Sequence, residues 1–346
     1  MATRPEVLNE QFFDNSTSNE TQVDELLQFV EPSLVEKVKS TFFFVIALVS
    51  ICVGTLGISG NTLSIFVLST NGLKNSPARR MLRWLAVWDC ISIVSLLFFM
   101  DYINVIWFHA TKNEKVFTYW FPLIHKFSDP LFATATMGSV SMTLLLTWER
   151  CRAVCTPLEF RQTSPKLIWG SIAGVVVLNL PGWFQLKIVP VERDGETFYN
   201  YTDSDFGRSD FYRVVNSDIT HFFIRLLIPF GLLFYFNVKI VASLKSRVNR
   251  VRDMTSSSEP ACLSKSVTKI VVAIVSLSLL TNALFCVYMV LDSLATTSWA
   301  GSPSHGFYAQ GMFMILLNSS ANFIFYCLFG RKFRTALKNL CCLKLG

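Results

Sequence analysis

Apolar residues along this chain gather into seven blocks, over about 41–69, 82–107, 121–149, 167–186, 219–244, 268–291 and 306–328. Each block is long enough to cross a hydrocarbon core of about 30 Å. Inside lipid only a helix satisfies all its own backbone groups, apart from a closed barrel of much shorter strands. The pattern therefore predicts an all-α membrane protein, a seven-transmembrane helix bundle over 41–328. The polar, acidic stretch 1–40 lacks the positive start and cleavage site of a signal peptide, and is expected to be an extracellular N-terminal tail. Residues 329–346 are expected to form a short amphipathic eighth helix, Phe329 to Leu340, and a cytoplasmic tail. The connections are short except 188–218 and 246–266.

Composition agrees: 51% hydrophobic and 16% charged residues depart from the roughly 25% charged of a soluble domain. Charge also sets orientation. The stretches 71–84, 150–166, 239–269 and 330–346 hold 20 Lys and Arg against three acids, whereas 1–39, 108–126 and 187–218 hold 10 against 16. This predicts an extracellular N-terminus and a cytoplasmic C-terminus in a plasma-membrane protein. Sequons at Asn15, Asn19 and Asn200 all fall on the face predicted to be outside, where glycans attach. A fourth, at Asn318, lies within an apolar block and is not expected to be used. The net charge of +7 is thus a topological signal and no nucleic-acid footprint. Nine Cys in 346 residues make no disulfide scaffold.

Ionisable residues inside a span cost several kcal/mol and mark function by default. Asp89, Asp101, Asp129, Glu149 and Arg150 stand out. Glu149 and Arg150 allow two readings: a snorkelling charge pair at a helix end, or a switch whose charges exchange partners when neighbouring helices move.

Short motifs fall in these helices in a fixed order: Gly60-Asn61, Leu85-Ala86-Val87-Trp88-Asp89, Trp148-Glu149-Arg150-Cys151, Trp169, Pro229, and Asn318-Ser319-Ser320-Ala321-Asn322-Phe323-Ile324-Phe325-Tyr326. Together they resemble the marks of the rhodopsin-like (class A) G-protein-coupled receptors, with Phe323 where the seventh-helix Pro usually stands. The resemblance is closest to the FMRFamide-type neuropeptide receptors of invertebrates, several of which also lack that Pro and continue Asn-Phe-Ile-x-Tyr-Cys-Leu-Phe-Gly. It implies a receptor that takes an extracellular peptide and promotes nucleotide exchange on heterotrimeric G proteins, with Glu149, Arg150, Asn322 and Tyr326 as the activation switch. It also implies that Asp89, Ser139, Asn318, Ser319 and Asn322 form a sodium pocket, the one cofactor-like ion expected. The alternative is a hydrogen-bonded network without a fixed ion.

Departures from the family are equally plain. All nine Cys lie in spans or on the cytoplasmic side, and His125 stands where the helical Cys of the family's extracellular disulfide would fall. Thr281-Asn282-Ala283-Leu284 replaces the sixth-helix Cys-Trp-x-Pro, and Asn237 replaces the fifth-helix Tyr. Cys341 and Cys342 follow the amphipathic segment, as juxtamembrane palmitoylation sites do. Gly54, Gly57 and Gly60 read as close helix packing.

Leu316 at the retinal-Lys position and Phe132 at the amine-binding Asp position point away from those ligands. Asp129 precedes Arg150 by 21 residues, about 31 Å of helix, near the outer interface. Asp101, Asp129 and Asp292 with Tyr288 and Tyr308 suit a guanidinium and an aromatic ring, as in an Arg-Phe-amide terminus, although such aromatics also form interfacial belts. A rhodopsin-like receptor for a different ligand is one alternative, and a polytopic transporter another; the latter would show internal repeats or paired broken helices, and neither is visible. An enzyme is disfavoured: His is sparse, and neither His-Glu-x-x-His nor Gly-x-Ser-x-Gly occurs.

Overall fold

The computed structural model describes residues 32–70, 76–99, 114–193, 195–212, 223–224, 227–253, 262–298 and 305–342. Its elements are α1 (Pro32–Ser69), α2 (Pro77–Phe99), α3 (Glu114–Cys155), α4 (Pro165–Asn179), a 3₁₀ turn at Leu180–Phe184, β1 (Leu186–Arg193), β2 (Glu196–Asp203), a single helical turn at Asp210–Tyr212, α5 (Ile228–Asp253), α6 (Cys262–Ser298), α7 (His305–Ser320), α8 (Asn322–Phe329) and α9 (Arg331–Cys342). Two units divide the chain. Met1–Ile46 contributes the helical stretch from Pro32, and Ala47–Gly346 holds the bundle and its loops. Seven stretches are long and apolar enough to span a membrane: Phe44–Ser69, Pro77–Phe98, Trp120–Cys155, Pro165–Phe184, Ile228–Ser246, Val267–Tyr288 and Ala309–Phe329. They coincide with the seven apolar blocks, and α9 follows as the further helix.

Proline opens α1, α2 and α4, where its missing N–H costs nothing. Ser164 caps α4 by accepting from Lys166 N at 3.3 Å. Within Ala47–Gly346, α3 is the hub, touching α2, α4, α5, α6 and both strands. Its core side chains Met142 and Leu146 meet Met81, Leu85 and Trp88 of α2 and Leu233 of α5. Gly138 sits so tightly under Trp88 that an added Cβ would stand 2.6 Å from the indole Cε2. Close approach also explains Gly60, where a Cβ would stand 2.8 Å from Phe323 Cβ.

Three features depart from the sequence expectations. The fourth block does not stay helical to residue 186: α4 gives way to the 3₁₀ turn at Leu180, where Pro181 has no N–H to continue the ladder. Residues 186–203 then form an antiparallel hairpin, Leu186 facing Asp203 and Arg193 facing Glu196. Its signal is the Asp194-Gly195 pair between alternating strands, and Gly195 adopts φ 76°, which side chains resist. The seventh span is interrupted at Ala321 (φ −84°, ψ −12°), although Phe323 replaces the proline that would break it. Asn61 Nδ2 donates to Ser319 O at 2.9 Å, which draws that carbonyl toward α1. Ile324 N turns to Ala321 O at 3.0 Å, a three-residue step.

Candidate functional site

Asp89 lies 12 residues beyond Pro77, about 18 Å along α2, and is fully buried. A carboxylate there needs partners. Ser139 Oγ donates to its Oδ1 at 2.7 Å, Asn322 Nδ2 donates to its Oδ2 at 2.6 Å, and Ser319 lies within side-chain hydrogen-bonding reach. The network thus ties α2 to α3, α7 and α8, and Asn61 extends it to α1 through Ser319 O. Of the five residues expected here, Asn318 stays apart: it is half-buried and makes no side-chain hydrogen bond among the described residues.

The chemistry of this cluster fits a hard monovalent ion only in part. Carboxylate and hydroxyl oxygens of Asp89, Ser139 and Ser319 suit such an ion, but Asn322 presents its amide nitrogen. As built, hydrogen bonds compensate the carboxylate. Among the described residues no group of three or more His, Cys, Asp and Glu could hold a metal.

At the other end of α3, Arg150 Nη2 donates to Glu149 Oε1 at 3.0 Å, with side-chain exposures of 13% and 2%. Glu149 also accepts, through Oε2, from Thr163 N at 3.3 Å. Thr163 was invisible to sequence reasoning, because a backbone donor carries no residue signature. The carboxylate thereby fastens both the guanidinium and the connection leading into α4. About one and a half turns further along α3, the Cys155 thiol meets Ser243 Oγ of α5 at 3.1 Å.

Tyr326 is buried to 1% exposure, and its ring packs against Phe333 of α9 at 5.5 Å. Its hydroxyl has no hydrogen-bond partner among the described residues. Arg334 of α9 donates from Nη1 to Cys327 O and Leu328 O at 2.8 Å each. These are terminal carbonyls of α8 that a cation caps well. On α5, Asn237 Nδ2 donates to Ser276 Oγ of α6 at 3.4 Å. In α6, Thr281 and Asn282 bond locally, Thr281 to Leu277 O at 2.9 Å and Asn282 to Ser278 O at 2.8 Å.

Toward the N-terminal end of α3, His125 stacks on Tyr201 of β2 with ring centres 4.5 Å apart, and on Phe121 at 5.7 Å. This aromatic clasp between α3 and β2, which sequence reasoning did not foresee, falls at the residue that the resemblance set in place of a disulfide cysteine. The six cysteines with described side chains, Cys52, Cys90, Cys151, Cys155, Cys286 and Cys327, are free. Asp129 is half-buried one turn beyond His125 and within its electrostatic reach. Tyr288 is half-buried beside Gly311 of α7. Asp101 lies outside the described residues, as do the side chains of Asp292, Tyr308, Cys341 and Cys342, and Asn15 and Asn19. Asn200 is exposed on β2, its Oδ1 accepting from Tyr201 N at 2.8 Å.

No protein-family model matches the chain. It is 27% identical over 308 residues to the FMRFamide receptor of Drosophila melanogaster, across 87% of this chain and 54% of that receptor. It is 24% identical over 303 residues to an FMRFamide peptide receptor of Caenorhabditis elegans, across 83% of this chain and 68% of that receptor. The chain thus spans about half the length of the fly receptor. Squid rhodopsin, at 16% identity, shares the fold with a TM-score of 0.63 across 87% of this chain and 80% of that one. This chain is therefore a multi-pass membrane protein of rhodopsin fold, similar in sequence to FMRFamide receptors.

Proposed function

We propose that this chain is a cell-surface receptor for an extracellular neuropeptide of the Arg-Phe-amide type, which signals by promoting nucleotide exchange on heterotrimeric G proteins. The observation that carries the reading is the buried Glu149–Arg150 pair, held at one end of a continuous α3 whose other end bears Asp129 and the clasped hairpin. One helix, carrying Pro122 and Pro130 within it, links the acidic, aromatic outer surface of this reading to an inner charge pair. A ligand that binds one arrangement of α3 more tightly than the other shifts the inner equilibrium by its differential affinity. Similarity to two FMRFamide receptors supports the ligand class.

In this reading the N-terminus is extracellular, the hairpin faces the ligand, and Asn15, Asn19 and Asn200 carry glycans. Asp129 pairs with the peptide Arg, with Asp101 and Asp292 as the other candidates, and Tyr288 and Tyr308 receive the Phe ring. Cys341 and Cys342 take palmitate at the membrane surface, and an allosteric sodium ion competes with the hydrogen bonds at Asp89. Purified receptor reconstituted with a G protein is the test. An Arg-Phe-amide peptide drives exchange and its Arg→Glu form does not, until Asp129→Arg restores the pairing. A parent receptor indifferent to such peptides would sink the ligand assignment.

A further inference from the structure

A cleft of about 380 Å³ opens between α1, α2 and α4 at the face where α1 ends and α2 and α4 begin. Its walls are apolar and aromatic, Ile65, Ile168, Trp84 and Trp169, with the two indoles edge to face at 5.3 Å. Two cations intrude on this apolar lining. Arg80 and Arg83 line the cleft, and three residues apart they share one side of α2. Neither makes an ion pair or a side-chain hydrogen bond among the described residues, and Arg80 Nε is buried without a partner. Both side chains are half-buried, and the shielded Arg80 Nε has no acceptor among the described residues, a cost that an anion from outside the chain would relieve. The cleft faces lipid, since Trp169 beside it is 58% exposed.

We infer that this cleft is a binding site for an anionic phospholipid, with the headgroup phosphate on Arg80 and Arg83 and an acyl chain along Ile65, Ile168 and the two tryptophans. The guanidinium fork matches phosphate oxygens better than a point charge does. An apolar wall directly beneath it fits a lipid and would give free phosphate nothing. The proposal rests on the orientation stated above in one respect: it places the site in the cytoplasmic leaflet, where anionic lipid is concentrated. A lipid seated there braces the first turns of α2, the helix that carries Asp89.

Native mass spectrometry of the delipidated full chain in detergent, with phosphatidylcholine, phosphatidylserine or a phosphatidylinositol bisphosphate added, measures retention without reference to leaflet or to signalling. The anionic lipids are expected to be retained about tenfold over phosphatidylcholine. Arg80→Gln with Arg83→Gln should bring the ratio near parity, Arg80→Lys with Arg83→Lys should keep most of it, and Lys187→Gln with Arg208→Gln on the hairpin side should leave it unchanged. Should the double Gln variant fail to melt like the parent, Arg83→Gln alone is expected to give an intermediate loss. Equal retention of all lipids, or full anionic preference in the Gln variants, would overturn the site. Displacement of the bound lipid by a sterol, equally in parent and Gln variants, would overturn it too. Side-specific labelling of a single introduced cysteine tests the orientation separately, so a site found with the opposite topology would remove only its leaflet.

Discussion

Glu149 is held from two directions, by the guanidinium beside it and by the Thr163 amide, so its charge does two things at once. Charge-assisted hydrogen bonds contribute about 1.5–3 kcal/mol each, and removing one shifts a two-state equilibrium by about tenfold for each 1.4 kcal/mol. Glu149→Gln keeps the shape and loses the charge; basal exchange is expected to rise several-fold at matched surface expression. Arg150→Ala should lower stimulated exchange while peptide binding persists. Unchanged basal and stimulated rates in both variants would exclude the pair as a switch. Asp89 gives a second prediction at this scale. Raising sodium at constant ionic strength should weaken agonist binding in the parent and leave Asp89→Asn indifferent; equal sensitivity would remove Asp89 from any ion site. The resemblance to the rhodopsin-like receptors had already implied that Asp89, Ser139, Ser319 and Asn322 lie together, as they do. Asn318 failed to join because one residue turns a side chain by about 100° on a helix, and the motif alone does not say which face looks inward.

Seven helices were legible because a span leaves no other use for some twenty apolar residues. The hairpin was not, because two strands of eight residues lie in a connection whose apolar content is low and whose only clear mark is Asp194-Gly195. The interruption at Ala321 escaped notice for a different reason. No local breaker is present, and the side-chain hydrogen bond beside the interruption, to Ser319 O, comes from Asn61, 258 residues earlier in the chain. Tight packing makes a stability prediction at this scale. Gly138→Ala would drive a methyl into Trp88, and overpacking of this kind costs about 1–3 kcal/mol. Gly174 meets nothing within 4 Å, so Gly174→Ala is expected to be neutral or to stabilise by up to about 1 kcal/mol. Thermal melting in one detergent separates them, and equal melting temperatures would contradict the packing described for α2 and α3. The clasp at His125 supplies a further test. An aromatic pair contributes about 0.5–1.5 kcal/mol, so His125→Ala should speed hydrogen exchange across residues 186–203 by up to about tenfold. Mild external reductant should leave peptide affinity as it was. A reductant-sensitive parent would mean that a covalent tether exists after all.

Within Ala47–Gly346 the Glu149–Arg150 pair lies toward the C-terminal end of α3, whereas Asp129 and the hairpin that carries Asn200 lie toward its N-terminal end. In the proposed orientation the sequence's basic connections are cytoplasmic and its acidic ones extracellular, and an acidic outer side would steer a cationic peptide toward the receptor. Between the two faces stands a polar network reaching four spans, on a helix hub that touches most of its neighbours. That arrangement suits transmission of a binding event more than passage of a solute. The fold is legible in the pattern of spans, whereas the proposed ligand contacts Asp129, Asp292, Tyr288 and Tyr308 form no motif of their own in the sequence. The measurement that tests the account most directly is guanine-nucleotide exchange on a heterotrimeric G protein mixed with the purified, reconstituted chain. Amidated Arg-Phe peptides are expected to accelerate exchange in a saturable way, and the same peptides with a free carboxyl terminus to do so far less. Exchange that stays at the G protein's own rate across a full set of amidated peptides, with a properly folded chain, would contradict it.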